Sequence, residues 1–224
     1  MRVEIRTAIA AAGILVGLSS GADAQTTLAQ WNVQNFTSVP FSATPVSQFV
    51  TPTTGYTAGS LSRGTGFTNP GGTNGFYATD IDAATVAQAN SLSEFFSFTV
   101  TANAQRALVL SSLVFTDVVD GTGPTRVAVR SSQDNFAADI PLNTVLTNTG
   151  GVTHTATLTN LATTDGGSLT FRLYAYAAAD PAGTYLLANA PVSLSGSVLS
   201  PEPGSVALVL LALPALGLLR RRRK

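Results

Sequence analysis

Glu94-Phe95-Phe96-Ser97-Phe98-Thr99-Val100-Thr101 is the stretch that decides the fold class. Successive side chains of an extended chain point to opposite faces. Phe96, Phe98 and Val100 therefore share one face, and Phe95, Ser97 and Thr99 the other. Ser168 to Ala175 repeats the pattern, with Leu169, Phe171, Leu173 and Ala175 facing inward and Thr170, Arg172 and Tyr174 outward. Arg126 to Arg130 directs Val127 and Val129 to the core. Period two with β-branched and aromatic residues is the mark of half-buried strands.

The punctuation between these runs agrees. Asp120-Gly121-Thr122-Gly123-Pro124, Asn148-Thr149-Gly150-Gly151 and Asp165-Gly166-Gly167 each join a polar turn former to glycines that accept positive φ. Ala107 to Phe115 breaks parity, because Leu108 and Leu110 share one face while Leu113 and Phe115 share the other. Either a β-bulge near Ser111-Ser112 returns all four to the core, or this strand is buried on both sides. Thr37 to Gly75, with Pro40, Pro45, Pro52 and Pro70, reads as long loops crossing an edge with one or two short strands. One short helix is expected within Ile81 to Leu92, capped by Asp80 or Asp82. The expected fold is an all-β antiparallel β-sandwich.

Residues 25–198 form one domain's worth of chain, long enough to bury a core without disulfides. There are no cysteines, which removes thiol nucleophiles and thiolate metal sites. This span holds five arginines, nine carboxylates and no lysine, a net charge of about −4. Such a balance disfavours nucleic acid, whose affinity comes from phosphate neutralisation.

Both ends read as addresses. Residues 1–24 carry Arg2 and Arg6, an apolar stretch from Ala8 to Leu18, and Ala22-Asp23-Ala24 before Gln25, which is the form of a secretory signal peptide cleaved after Ala24. At the other end, residues 199–224 hold Pro201-Glu202-Pro203, an uncharged segment from Gly204 to Leu219, and Arg220-Arg221-Arg222-Arg223-Lys224. Sixteen residues span only ~24 Å as a helix, slightly short of a bilayer, and arginine stems can snorkel across the difference. The basic cluster stays on the cytoplasmic side, so the preceding domain lies outside.

The order of Pro201, Glu202 and Pro203, the apolar segment and the arginine cluster resembles the PEP-CTERM sorting signal of bacterial exported proteins. That resemblance implies recognition by an exosortase, a membrane-embedded cysteine transpeptidase that would cut near the motif. It also implies a Gram-negative host making an extracellular polysaccharide matrix. An ordinary C-terminal membrane anchor is the alternative, although such an anchor needs no proline on both sides of a glutamate. The stretch from Phe95 to Leu142, with Thr122-Gly123-Pro124 and Arg130-Ser131-Ser132-Gln133-Asp134-Asn135-Phe136, is similar to jelly-roll β-sandwich domains of such exported proteins.

Candidate chemistry is sparse. His154 is the only histidine and shares a strand face with Val152, Ala156 and Leu158, opposite Thr153, Thr155, Thr157 and Thr159. It reads as a hydrogen-bonded core or rim residue, and a triad with a distant hydroxyl stays open. Asp80-Asp82 and Asp117-Asp120 are acidic pairs near turns; neither completes the calcium loop pattern, and turn capping explains both. Glu94 is the domain's lone glutamate, so a glycosidase would need an aspartate in one carboxylate role. Arg172, Tyr174 and Tyr176 project from one strand face. Either they form a carbohydrate contact, with rings stacking on sugar faces, or a loop covers the tyrosines and an aspartate pairs the arginine.

The expectation is an exported, non-enzymatic surface or extracellular-matrix protein, with no cofactor and no metal. Its partners would be signal peptidase and an exosortase, with the inner membrane engaged transiently through the C-terminal segment. The alternatives are an exopolysaccharide-binding module and a secreted hydrolase.

Overall fold

The computed structural model describes residues 26–33, 42–43, 55–68, 75–146 and 151–199. The expected signal peptide with Ala22 and Ala24, the motif Pro201 to Pro203, the apolar segment 204–219 and the basic tail Arg220 to Lys224 all lie outside the described residues. So does most of the proline-rich stretch from Thr37 to Gly75, which contributes three short strands. No helix among the described residues is long and apolar enough to cross a membrane.

The described residues build two antiparallel sheets. The first contains β1 (Thr26–Trp31), β5 (Phe76–Ala78), β7 (Ala107–Val119), β9 (Gly151–Thr157), β11 (Tyr185–Leu187) and β12 (Val192–Leu199). Its spine is β7, which pairs with β12 and then β11 along one edge and with β9 along the other; β1 lies beyond β12 and β5 beyond β11. The second sheet contains β2 (Ser42–Ala43), β3 (Tyr56–Ala58), β4 (Leu61–Arg63), β6 (Phe95–Ala102), β8 (Pro124–Ser131) and β10 (Ser168–Ala178). Here β10 lies between β6 and β8, and β6 takes β3 and β4 along its far edge.

The alternation read from sequence sets the inner faces. Phe96, Phe98 and Val100 of β6 and Leu169, Phe171, Leu173 and Ala175 of β10 are all buried. Aromatic rings cross between the sheets: Trp31 lies 4.2 Å from Phe98 and Phe76 lies 5.1 Å from Phe96, centroid to centroid. Phe171 stacks on Phe98 from the neighbouring strand at 5.2 Å. Each fully buried ring of this kind is worth about 1.5–3 kcal/mol relative to exposure, so the aromatic cluster is the main adhesive between the sheets.

The parity break in β7 is a bulge. Ser112 pairs with Ser195 but Leu110 pairs with Gly196, which leaves Ser111 as the extra residue. Leu108, Leu110, Leu113 and Phe115 are consequently all buried. The Ser111 carbonyl accepts from Leu158 N–H at 2.9 Å, beyond the end of β9. Opposite the bulge the backbones approach closely, and a Cβ on Gly196 would lie 2.4 Å from the Val109 carbonyl oxygen. Only glycine fits there.

The helix is shorter than the sequence suggests. α1 spans Val86–Leu92, and its N-cap is Thr85, whose hydroxyl accepts from Gln88 N–H, rather than Asp80 or Asp82. Residues 81–84 precede it as loop, where the Glu94 carboxylate takes the N–H groups of Asp82 and Ala83 at 3.2 and 3.0 Å. α1 lies across the outer face of the second sheet and buries Val86 and Ala89 against Ala128 and Tyr174. Here the sheet is covered on both faces, which is why Ala128 is buried while Val127, on the core side, is only partly so.

Candidate functional site

Register places the charged and aromatic residues of the second sheet's outer face in three cross-strand pairs: Arg126 opposite Tyr176, Ala128 opposite Tyr174, and Arg130 opposite Arg172. Residues so paired share a face with Cβ atoms about 5 Å apart. α1 covers the middle pair and divides the face in two.

One part is closed. Tyr174 is fully buried, and its hydroxyl donates to Asn90 Oδ1 of α1 at 2.8 Å. Arg172 donates to the same oxygen at 2.6 Å. Its guanidinium lies between two rings, 3.9 Å from the Phe136 centroid and 4.3 Å from that of Phe95. The like charge opposite is handled separately, because Arg130 Nε meets Asp139 Oδ1 at 2.5 Å and Nη1 donates to the Phe136 carbonyl at 3.0 Å. Burial raises the Tyr174 phenol above its ordinary range, partly offset by Arg172. Arg172 and Tyr174 therefore do not join Tyr176 in an open stacking surface. The cover is a helix rather than a loop, and the arginine's partner is an asparagine rather than an aspartate.

Phe136 reaches Arg172 only through an unusual backbone. Asn135 and Phe136 both take positive φ, near 60°. Asparagine tolerates this readily; a phenylalanine there costs about 1–2 kcal/mol. A dense set of bonds holds the turn in place: Phe136 N–H to the Ser131 carbonyl, and Ala137 and Ala138 N–H to the Asp134 carboxylate.

The other part is open. Tyr176 is half-buried and Arg126 exposed, and together they border a cleft of about 500 Å³. Its far wall is the segment from Asp139 to Leu146. This segment bridges the two sheets. Ile140 N–H donates to the Val129 carbonyl of β8 at 2.8 Å, while Asn143 N–H donates to the Thr155 carbonyl of β9 at 3.1 Å. Val145 stands on the rim, 80% exposed.

His154 anchors that wall from within. It is completely buried and stacks on Phe115, with centroids 5.0 Å apart. Nδ1 lies 2.8 Å from Thr144 Oγ1, and Nε2 lies 3.0 Å from Asp117 Oδ2 without the alignment of a hydrogen bond. The Tyr185 hydroxyl donates to the same Asp117 oxygen at 3.0 Å, and burial together with Asp117 holds that phenol far above its ordinary range. A hydroxyl, an imidazole and a carboxylate thus follow one another in the order of a nucleophilic triad. The imidazole is sealed from solvent, however, so it has no path to pass a proton to a leaving group, as such a base must. The cluster ties β7, β9, β11 and the cleft wall together.

The acidic pairs separate. Asp117 is in the core, whereas Asp120 is exposed and accepts from Thr122 N–H and Thr184 N–H, each at 3.0 Å. Burial acts against the ionised form of Asp120, but these donors outweigh it and hold the carboxyl below its ordinary value. Asp80 precedes the loop that Glu94 holds, and Asp82 lies within it. Burial pushes Glu94 above its ordinary value, against the pull of its two backbone donors, and nearby Asp82 and Asp80 add to the push. Among the described residues no three histidine or carboxylate groups converge as a metal site. Thr153 and Thr157 are exposed and Thr155 is half-buried, with Thr153 bonded to Thr116.

Sequence reading passed over the cleft wall and the Asp117–His154 pair. One signal was available for the pair: beyond the bulge, Asp117 falls in step with Leu113 and Phe115, so parity aims a carboxylate into the core. No protein-family model matches the chain, and no curated protein matches it in sequence.

Proposed function

We propose that this chain is an exported, non-enzymatic protein of a Gram-negative cell surface or extracellular matrix, delivered through a PEP-CTERM and exosortase route. One observation carries the proposal: Pro201-Glu202-Pro203, the uncharged segment 204–219 and Arg220 to Lys224 stand in that order at the C-terminus, with a signal-peptide pattern at the opposite end. A two-sheet all-β domain between the addresses supports a structural role, and we take a jelly roll as the finer form of that fold. Signal peptidase would act after Ala24 and an exosortase near Pro201.

Replacing Pro201, Glu202 and Pro203 together with alanine tests the route in a host that carries an exosortase. The expected result is precursor held in the membrane fraction, whereas mature wild-type protein lacks Met1 to Ala24 and Arg220 to Lys224 by intact mass. Release of the variant at the wild-type rate would reduce the tail to an ordinary anchor. A second reading, an exopolysaccharide-binding module, is favoured by the open cleft beside Tyr176 and Arg126.

A further inference from the structure

We propose that the cleft between β8 and the segment from Asp139 to Leu146 is a glycan-binding site, in which a pyranose ring lies on Tyr176 while Arg126 and Asp139 take its polar groups. This rests on the polysaccharide-binding reading above and gives it a location different from the Arg172–Tyr174 surface.

The lining matches the ligand's own two-sided chemistry. A pyranose presents an apolar C–H face and a rim of hydroxyls, so its binding sites pair an aromatic ring with a few polar groups. Tyr176 supplies the ring, and Ile140, Leu142 and Val145 of the facing segment line the apolar side. Arg126 stands directly across from Tyr176, is exposed, and makes no ion pair among the described residues. Asp139 spends Oδ1 on Arg130, which fixes its carboxylate at the cleft border and leaves Oδ2 to accept a hydroxyl. A volume of about 500 Å³ is within the range of small-ligand sites.

The walls are already in place. One is the β8–β10 sheet; the other is fixed at Ile140 by β8, at Asn143 by β9, and at Thr144 by His154. A preformed cleft loses little ordering entropy on binding. An added peptide strand fits less well, because Ile140 already occupies the β8 edge at Val129.

Affinity electrophoresis of the full-length protein in detergent tests the site. Native gels contain either laminarin, a neutral glucan, or polygalacturonate, a uronate polymer. Wild-type protein is expected to be retarded by at least one of them. Retardation by polygalacturonate alone would identify a uronate held by Arg126, and Arg126→Gln should then abolish it; retardation by laminarin should survive that change. Tyr176→Ala should weaken either interaction by about tenfold while Tyr176→Phe preserves it. Should Tyr176→Ala fail to fold, Val145→Trp fills the cleft from an exposed rim position and must abolish retardation. Unretarded wild-type protein in both gels, or wild-type retardation of Val145→Trp, overturns the site. Neither result bears on the sorting route, which is read separately from membrane retention of the tail variant.

Discussion

Two carboxylates are buried in this domain, and they are held in opposite ways. Glu94, under the loop before α1, receives two backbone N–H groups that cannot titrate and that lie close by in the chain. Asp117, between the sheets, meets the side chains of Tyr185 and His154, while its second oxygen has no partner. The first is local stitching that fastens the loop of residues 81–84 to the chain just after α1. The second joins three strands through side chains alone. Backbone donors tolerate loss of charge better than a buried side-chain cluster does, because they have no charge of their own to strand.

Asp117→Ala should give the largest effect. It leaves the Tyr185 hydroxyl buried without an acceptor and opens a gap beside His154, at a cost of about 3–4 kcal/mol for the unpaired donor and the cavity together. Denaturant midpoints measure it; a loss under about 1 kcal/mol would mean the cluster is ornamental to stability. Tyr174→Ala comes next, at about 3 kcal/mol for the lost ring and the gap beneath α1, with Tyr174→Phe costing about 1 kcal/mol for the bond to Asn90. If the two Tyr174 variants melt alike, the ring is not packed as described.

Glu94→Gln tests the milder carboxylate. One amide N–H₂ then faces a backbone N–H, at a cost of about 1–2 kcal/mol. If Glu94→Gln costs as much as Asp117→Ala, the contrast between the two sites collapses.

The smallest effect is on pH dependence. A native carboxyl that holds its proton more tightly than the unfolded chain loses stability as pH rises past its ordinary value, 4.5 for Glu94. Asp120 has the opposite sign: its contribution is present above its ordinary value of 3.8 and is lost as pH falls through the lower native value. Midpoints measured from pH 3 to 6 should therefore fall less steeply with rising pH above 4.5 in Glu94→Gln than in wild type. An identical slope would place the Glu94 proton elsewhere.

Much of the fold could be read from the chain because strands write their burial in period two. Phe96, Phe98 and Val100 needed no tertiary information, whereas the parity break near Ser111-Ser112 left a bulge and two-sided burial equally open until pairing with β12 showed the bulge. Contacts set by distant chain segments were illegible. Asn90 lies 82 residues from Arg172, and its role depends on α1 crossing a sheet face that no local pattern specifies. The cleft wall is similar: residues 139–146 have no periodicity, and what orders them is the gap between β8 and β9. The helix cap was misplaced for a related reason, since Glu94 reaches back to take the N–H groups of Asp82 and Ala83, the donors that a cap at Asp80 would serve.

The bridge from Asp139 to Leu146 has one more consequence. The outer strands of a β-sheet expose rows of unpaired donors and acceptors, which invite a neighbouring copy to add its own strand and so seed aggregation. Here β8 and β9 border the same side of the two sheets, and one segment pairs with both, Ile140 with Val129 and Leu142 with Ala156. A molecule crowded among its own kind is thereby hindered from polymerising edge to edge along this side.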